Sequence, residues 1–258
     1  MNIAVIGGTG YVGLTTAVCL ALKGHSTFCV GRSKEKIEKI RKGFPIIYEE
    51  GLEEVMKDVL AKGKLKPTTD LEKAVLGSDL SFTCVGTPSK ADGSIDLSQI
   101  QEVSEKIGQA LAKKNNYHVV VVRSTVVPGP TEELVVPILE RFSGKNAGVD
   151  FGVCMNPEFL REGQAIKDFL FPKDIGIVIG EFDERSGDAL FELYKVFDAE
   201  IMRTNLRTAE MVKYARNSYL AKDVSFANEI ANICQKCGAD YLAVKKGMEI
   251  DARIGKGR

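Results

Sequence analysis

Glu158 and Glu162 stand four residues apart just after Pro157, and Lys213 and Asn217 stand four apart in a run that holds neither proline nor glycine. Carboxylates and ammonium groups are the types that move protons and stabilise oxyanions. Residues four apart share one face of a helix. The spacing alone reads as an acid-decorated helix N-terminus for the two glutamates and as a solvated face for Lys213 and Asn217. Thr125 follows an apolar run at what would be the C-terminal end of a strand, the edge where open α/β sheets bind ligands. His25 and His118 flank strand starts instead and read as surface or structural residues, not as catalytic bases.

The stretch "GTGYVG", Gly8 to Gly13, directly follows the apolar run "NIAVIG" and opens a helical pattern. In that setting Gly8 is expected to make the tight turn, Gly10 to let the backbone approach a pyrophosphate, and Gly13 to pack the helix against the strand. Tyr11 and Val12 lie between them, at a helix N-terminus whose free N–H groups suit an anion. At the end of the second strand an NAD site usually carries Asp or Glu for the ribose 2′-hydroxyl. This chain has Gly31, Arg32 and Ser33 there, with Lys34 and Lys36 following. Such residues accommodate a 2′-phosphate, because arginine binds it as a fork; the alternative is a solvated first helical turn. The cofactor expected is a nicotinamide dinucleotide, NAD or NADP.

These residues need a frame. β-rich runs at 2–7, 26–31, 80–85, from 119, 151–155 and 175–180 alternate with helical periodicity. The first helix carries Leu14, Ala17, Val18 and Ala21 on one face and stops at Gly24; Ser33 is placed to cap a charged helix that ends at Gly43. Leu52, Val55, Met56, Val59 and Leu60 mark another helix, and further ones are expected at about 96–114, 131–141 and 183–197. Most strands are nearly all apolar, as parallel strands covered on both faces should be. The fold class is α/β, a Rossmann-like doubly wound parallel sheet. From Leu206 to Lys236 the pattern becomes one long helix of about eight turns. It reads as the start of an incomplete all-α domain, which gives a dinucleotide-binding domain at 1–204 and a helical central or dimerisation domain at 205–258. The apolar stripe around Met211, Val212 and Ala215 is expected to be covered in a homodimer.

Lys plus Arg and Asp plus Glu both number 35 in the 258 residues, so no basic surplus points to nucleic acid. No apolar run approaches the roughly 18 residues of a membrane span. The start has no leader pattern, and six cysteines scattered in apolar segments suit a reducing compartment, so a cytoplasmic location is expected. "CQKC" at 234–237 has no second pair and no nearby histidine; it reads as buried or incidental thiols, and no metal site is expected.

Six motifs in order carry a resemblance: "GTGYVGL", "IIYEEGLEE", "VGTPSKADGSIDL", "RSTVVPGPT", "NPEFLREGQAIKDFLFP" and "TAEMVKYARNSYLAKDVSFANEIANIC". The chain resembles the nucleotide-sugar dehydrogenases, the UDP-glucose/GDP-mannose dehydrogenase family, over its whole length. "NPEFLREG" and "GMEIDARIG" resemble the UDP-glucose branch most. The resemblance implies an NAD-dependent, four-electron oxidation of a sugar C6 alcohol to a carboxylate, UDP-glucose to UDP-glucuronate in that branch. It passes through a cysteine-bound thiohemiacetal and thioester. It implies that Glu158 handles the water, Lys213 stabilises the oxyanion, Asn217 binds substrate and Thr125 lies near the nicotinamide. Phe159, Leu160 and Arg161 of the same motif are implied as substrate contacts, and Thr87 and Glu162 as cofactor contacts.

Three departures stand out. Gly31 replaces the acidic residue of the second strand. "PIIYEEGL" carries an extra isoleucine and has Glu50 where the family has proline. The family's segment "GGSCFPKD", with the nucleophilic cysteine, follows residues like the last motif, and this chain ends at Arg258 before it. The chain is therefore expected to bind cofactor without completing the oxidation. Two other classes fit the residues: an NADP-dependent two-electron hydroxyacid dehydrogenase, which also pairs a lysine and an asparagine four apart, and a non-enzymatic nucleotide-binding or dimerisation subunit.

Overall fold

The protein is described by a computed structural model over residues 1–251 and 254; the end of the last motif, at 252, 253 and 255–258, lies outside the described residues. The first strand, β1 (Asn2–Ile6), turns into α1 (Tyr11–Leu22), whose residues 13–21 are all buried. A helix so evenly apolar must be covered all round, and α1 lies between the sheet and two later helices. Next come β2 (Ser26–Val30), α2 (Lys34–Arg41), α3 (Leu52–Ala61), β3 (Leu65–Thr68), α4 (Leu71–Leu76) and β4 (Leu80–Thr83). The expected cap of α2 is present: Ser33 Oγ accepts from the Lys36 N–H at 3.3 Å. After these come α5 (Ser98–Ala112), β5 (Val119–Val122), a π-helical turn (Thr131–Val135) continuing into α6 (Val136–Ser143), and β6 (Gly152–Met155). The compact part closes with α7 (Ala165–Leu170), a short 3-10 turn, β7 (Ile177–Glu181), α8 (Glu184–Tyr194) and β8 (Ile201–Asn205).

The eight strands form one sheet in the order β3-β2-β1-β4-β5-β6-β7-β8. Strands alternate their side chains between faces. Ile3 and Val5 therefore pack with Leu80, Phe82, Val119 and Val121 against α1 and α3, while α4, α5 and α6 cover the other face. Order reverses between β1 and β4, which makes the crevice above those two strands the switch point of the sheet.

Two features depart from a purely parallel sheet. From β1 to β6 every pairing is parallel, but β7 pairs antiparallel with β6, and β8 runs parallel to β7. Residues 156–164 form no helix and stay at the sheet's C-terminal edge, so the chain re-enters the sheet from that edge running the other way. The edge strands β3 and β8 also lack the apolar runs of the inner strands. β3 even holds Pro67, which an edge position tolerates because no inner ladder needs its missing N–H.

The long helix is α9 (Leu206–Cys237), followed by α10 (Tyr241–Glu249). The first compact unit comprises Met1–Met211 and the second Val212–Arg258. The first unit thus reaches past residue 204 into the opening turns of α9. A Cβ on Gly180 would stand 2.6 Å from Ala209 Cβ, and the Glu210 carboxylate accepts from Gly129 N at 2.6 Å and Thr131 N at 2.9 Å. Within the second unit, Tyr219, Phe226, Ile230, Tyr241 and Met248 line a cavity of about 340 Å³. No helix among the described residues is long and apolar enough to cross a membrane.

Candidate functional site

The phosphate loop is built around β2. Gly7 N and Gly8 N both donate to Val30 O, at 3.1 and 2.8 Å, and Gly10 N donates back to Gly7 O at 2.9 Å. The left-handed turn falls at Gly7, with φ of 87°, and not at Gly8. Gly8 is confined by proximity instead: a Cβ there would stand 2.5 Å from Cys29 Sγ. Gly13 does the packing expected of it, since its Cβ would stand 2.2 Å from Gly7 O. Gly10 is the N-cap of α1 with no side-chain cap, and the first turn, with Tyr11 and Val12, holds no acidic residue. Its N–H groups and the positive end of the helix are left for an anion.

Beside this loop, over the switch point, lies a cavity of about 470 Å³ lined by Thr9, Gly10, Gly31, Arg32, Cys84 and Gly86 among others. Its size, its glycine floor and the bare helix N-terminus fit an adenine dinucleotide. Arg32 reaches over it and donates to Gln99 Oε1 at 3.3 Å, 3.6 Å from Glu102. Lys36 follows on α2 with its side chain exposed.

The other predicted residues arrive at the C-terminal ends of β4, β5 and β6. Thr87 donates its hydroxyl to the Thr125 carbonyl at 2.6 Å, and Ser124 Oγ donates to Val85 O at 2.7 Å, so the loops after β4 and β5 are sewn together. Glu158 lies in the loop after β6, where its carboxylate accepts from Leu160 N at 2.7 Å and helps raise the Cys84 thiol, whose shift is caused chiefly by burial. Phe159 and Leu160 are half-buried beside it. Arg161 forks onto the buried Asp168, with Nε at 3.0 Å and an Nη at 2.6 Å. Glu162 is exposed, yet close enough to Tyr11 to add to the upward shift of its phenol, which burial and Glu49 dominate.

This segment is not the helix that the four-residue step of Glu158 and Glu162 suggested. The Glu158 side chain takes the Leu160 N–H itself, and Gly163 turns the chain at φ of 84°. Lys213 and Asn217 lie in the second unit, both on α9. Lys213 is buried and Asn217 exposed, so the solvated-face reading holds for the asparagine alone.

Several residues that organise the site carry no local sequence signal. Glu49 is buried and accepts from the Tyr11 hydroxyl, from Gly163 N at 2.7 Å and from Ala165 N at 3.0 Å. It thereby fastens the start of α1 to the loop that carries Glu158 and Glu162. Arg123, buried straight after β5, donates to Asn156 Oδ1 and to the Tyr194 hydroxyl at 3.3 Å, and Asn156 Nδ2 donates to Val178 O at 2.8 Å. That network joins β5, β6, β7 and α8 beneath the same loop. An arginine ending a run of valines was the one readable hint of it.

Four of the six cysteines are not poised as nucleophiles. Burial pushes the thiols of Cys19, Cys29, Cys84 and Cys154 up to about 12, where the thiolate that attacks carbonyls is scarce at neutral pH. Cys234 is buried, Cys237 is exposed, and all six are free. Among the described residues no cluster could hold a metal ion. His118 is fully buried between Ser78 and Ser81, and His25 is half-buried with Nδ1 3.4 Å from the Met1 amino group.

Comparison with known proteins places this arrangement. Residues 1–198 match the NAD binding domain, and residues 207–258 the central domain, of the UDP-glucose/GDP-mannose dehydrogenase family. A GDP-mannose 6-dehydrogenase of Pseudomonas aeruginosa is 50% identical over 240 residues, 93% of this chain and 54% of that protein. A UDP-glucose 6-dehydrogenase of Bacillus subtilis is 45% identical over 255 residues, 99% of this chain and 56% of that protein. Among solved structures, a ternary complex of the P. aeruginosa GDP-mannose dehydrogenase superposes with a TM-score of 0.94 at 48% identity, covering 97% of this chain and 57% of the other. A UDP-glucose dehydrogenase from Pyrobaculum islandicum superposes with a TM-score of 0.93 at 42% identity, covering 99% and 58%. The chain spans little more than half the length of the curated relatives it matches.

Proposed function

Because the chain belongs to the UDP-glucose/GDP-mannose dehydrogenase family, we propose that it is the cofactor-binding part of an enzyme that oxidises the C6 alcohol of a nucleoside-diphosphate hexose to a carboxylate. The observation that carries this reading is the glycine cradle at the switch point, with Thr87, Thr125 and Glu158 gathered on the same edge of the sheet. The bound dinucleotide supplies hydride acceptance. Gly8, Gly10, Tyr11, Val12 and Gly13 seat its pyrophosphate, Gly31, Arg32 and Lys36 face its adenosine end, and Thr87 and Glu162 contact it. Thr125 lies by the nicotinamide, Glu158 takes the proton of the attacking water, and the Lys213 ammonium stabilises the oxyanion. Asn217, with Phe159, Leu160 and Arg161, orients the sugar.

The motifs favour UDP-glucose, giving UDP-glucuronate. The named relatives divide between that sugar and GDP-mannose, so both belong in the test. The buried, high-pKa thiols support the further reading that this chain binds cofactor without completing the four-electron oxidation alone. Exposed Leu220, Val224 and Phe226 on α9 support a homodimer through that helix, and six free cysteines support a cytoplasmic location.

Calorimetric titration of the 258-residue chain with NAD, followed by incubation with UDP-glucose or GDP-mannose and product chromatography, tests the reading. One dinucleotide bound per chain and no hexuronate formed is expected. A folded chain that binds no dinucleotide overturns the assignment, and hexuronate made by this chain alone overturns the reading that it does not complete the oxidation.

A further inference from the structure

Residue 31 ends the second strand at the place where a dinucleotide site ordinarily sets a carboxylate against the adenosine ribose. Here that room is filled from the phosphate loop. A Cβ added to Gly31 would stand 2.3 Å from Thr9 Cγ2, 3.0 Å from Thr9 Oγ1 and 3.2 Å from Ile37 Cδ1. The threonine methyl occupies the space through which any side chain at 31 would leave the backbone, so Thr9 and Gly31 are matched to each other. The absent acid is thus built into the packing of the loop.

The next residue supplies the opposite charge. The Arg32 side chain is 73% exposed, lines the same cavity, and among the described residues is held only by Gln99 at 3.3 Å and Glu102 at 3.6 Å. Exposed pairs of this kind bind their partners weakly, whereas a phosphate dianion offers a guanidinium a bidentate, charge-assisted seat. The two carboxylates that line the cavity already have partners. Asp70 caps α4 by accepting from Lys73 N at 2.9 Å, and Glu102 accepts from the Lys106 ammonium at 2.6 Å. α2, of eight residues, begins just past Arg32.

We propose that the Gly31–Arg32 corner is a seat for the adenosine 2′-phosphate, so that this chain prefers NADP to NAD and Arg32 decides the preference. The inference rests on the reading of the 470 Å³ cavity as the dinucleotide site. One charge-assisted contact corresponds to roughly a tenfold gain in affinity.

Titration calorimetry of the full chain with NAD, NADP, 5′-ADP and 2′,5′-ADP tests it by binding alone. NADP is expected to bind about tenfold more tightly than NAD, and 2′,5′-ADP more tightly than 5′-ADP, with both ratios shrinking as salt rises. Arg32→Ala is expected to pull the NADP/NAD ratio toward one, Arg32→Lys to keep part of it, and the pair Thr9→Gly with Gly31→Asp to reverse it. Equal or tighter binding of NAD by the unaltered chain overturns the proposal while leaving the dinucleotide site standing. So does an Arg32→Ala chain that loses both dinucleotides in the same proportion. A folded chain that binds neither overturns both readings.

Discussion

Taking away the carboxylate of Glu49 would strip the acceptor from two backbone N–H groups at once and leave the Tyr11 phenol with the Arg161 carbonyl at 3.3 Å. Each buried donor left without a partner costs about 1–3 kcal/mol, more than the net worth of the bond it lost. Glu49→Ala is therefore expected to destabilise the chain by roughly 3 kcal/mol. Glu49→Gln, which keeps one acceptor oxygen, is expected to lose about half as much. Urea unfolding monitored by circular dichroism checks both, and a loss within ~0.5 kcal/mol for Glu49→Ala would show that the contacts are not formed in solution. Nothing around this residue announces its importance. It sits among glutamates in "YEEGLEE", where acids at a helix start are ordinary, and only the arrival of Gly163 and Ala165 from far along the chain sets it apart from Glu50.

At the scale of elements, the start of β5 holds a buried imidazole with a definite proton position. The Ser78 carbonyl at 3.1 Å can only accept, so His118 Nδ1 carries the hydrogen and Nε2 accepts from the Ser81 hydroxyl at 2.9 Å. Burial first, and then the nearby Lys114 ammonium, holds the ring neutral and lowers its pKa from 6.5 to about 3. The folded value lies below the unfolded one, so the unfolded chain binds the extra proton. The stabilisation is complete above pH 6.5 and is lost progressively as pH falls toward about 3. One such proton gives a slope of up to about 1.4 kcal/mol per pH unit within that window. His25, shifted the same way, adds to it, while the lowered carboxylates of Asp92, Asp96 and Glu102 contribute only in the acid part of that window, as pH falls below their ordinary values of 3.8 and 4.5. His118→Gln is expected to remove most of the slope between pH 7 and pH 5 in urea unfolding; an unchanged slope would mean that the ring is charged in the folded chain.

At the scale of the whole molecule, legibility followed exposure and distance. The inner strands were readable because burial on both faces leaves only apolar residues, as in "NIAVIG" and "VVVV". Edge strands such as β8 were not, since Arg203 and Met202 there face solvent. The reversal of β7 has no sequence mark, because the apolar run of "IVIGE" suits an inner strand of either direction. α9 gave its length, but helix propensity does not record which part of the chain each turn packs against. The glycine loop was legible because its chemistry is local and mechanical. Glu49, Arg123 and Asn156 work through partners tens of residues away, where spacing rules say nothing.

That distance also sets an order in time. The phosphate loop closes over 22 and 23 residues, from Gly8 and Gly7 to Val30, whereas Glu49 reaches across 114 and 116 residues to Gly163 and Ala165. Longer closures cost more entropy before any contact repays it, so the cradle for the cofactor is expected to form before the loop with Glu158 is fastened. A contact absent from the transition state affects escape from the native state and not entry into it. Glu49→Gln should consequently quicken unfolding and leave the refolding rate alone, as stopped-flow measurement in urea would read, and the loop proposed to handle substrate then depends on a fastening made across the length of the fold.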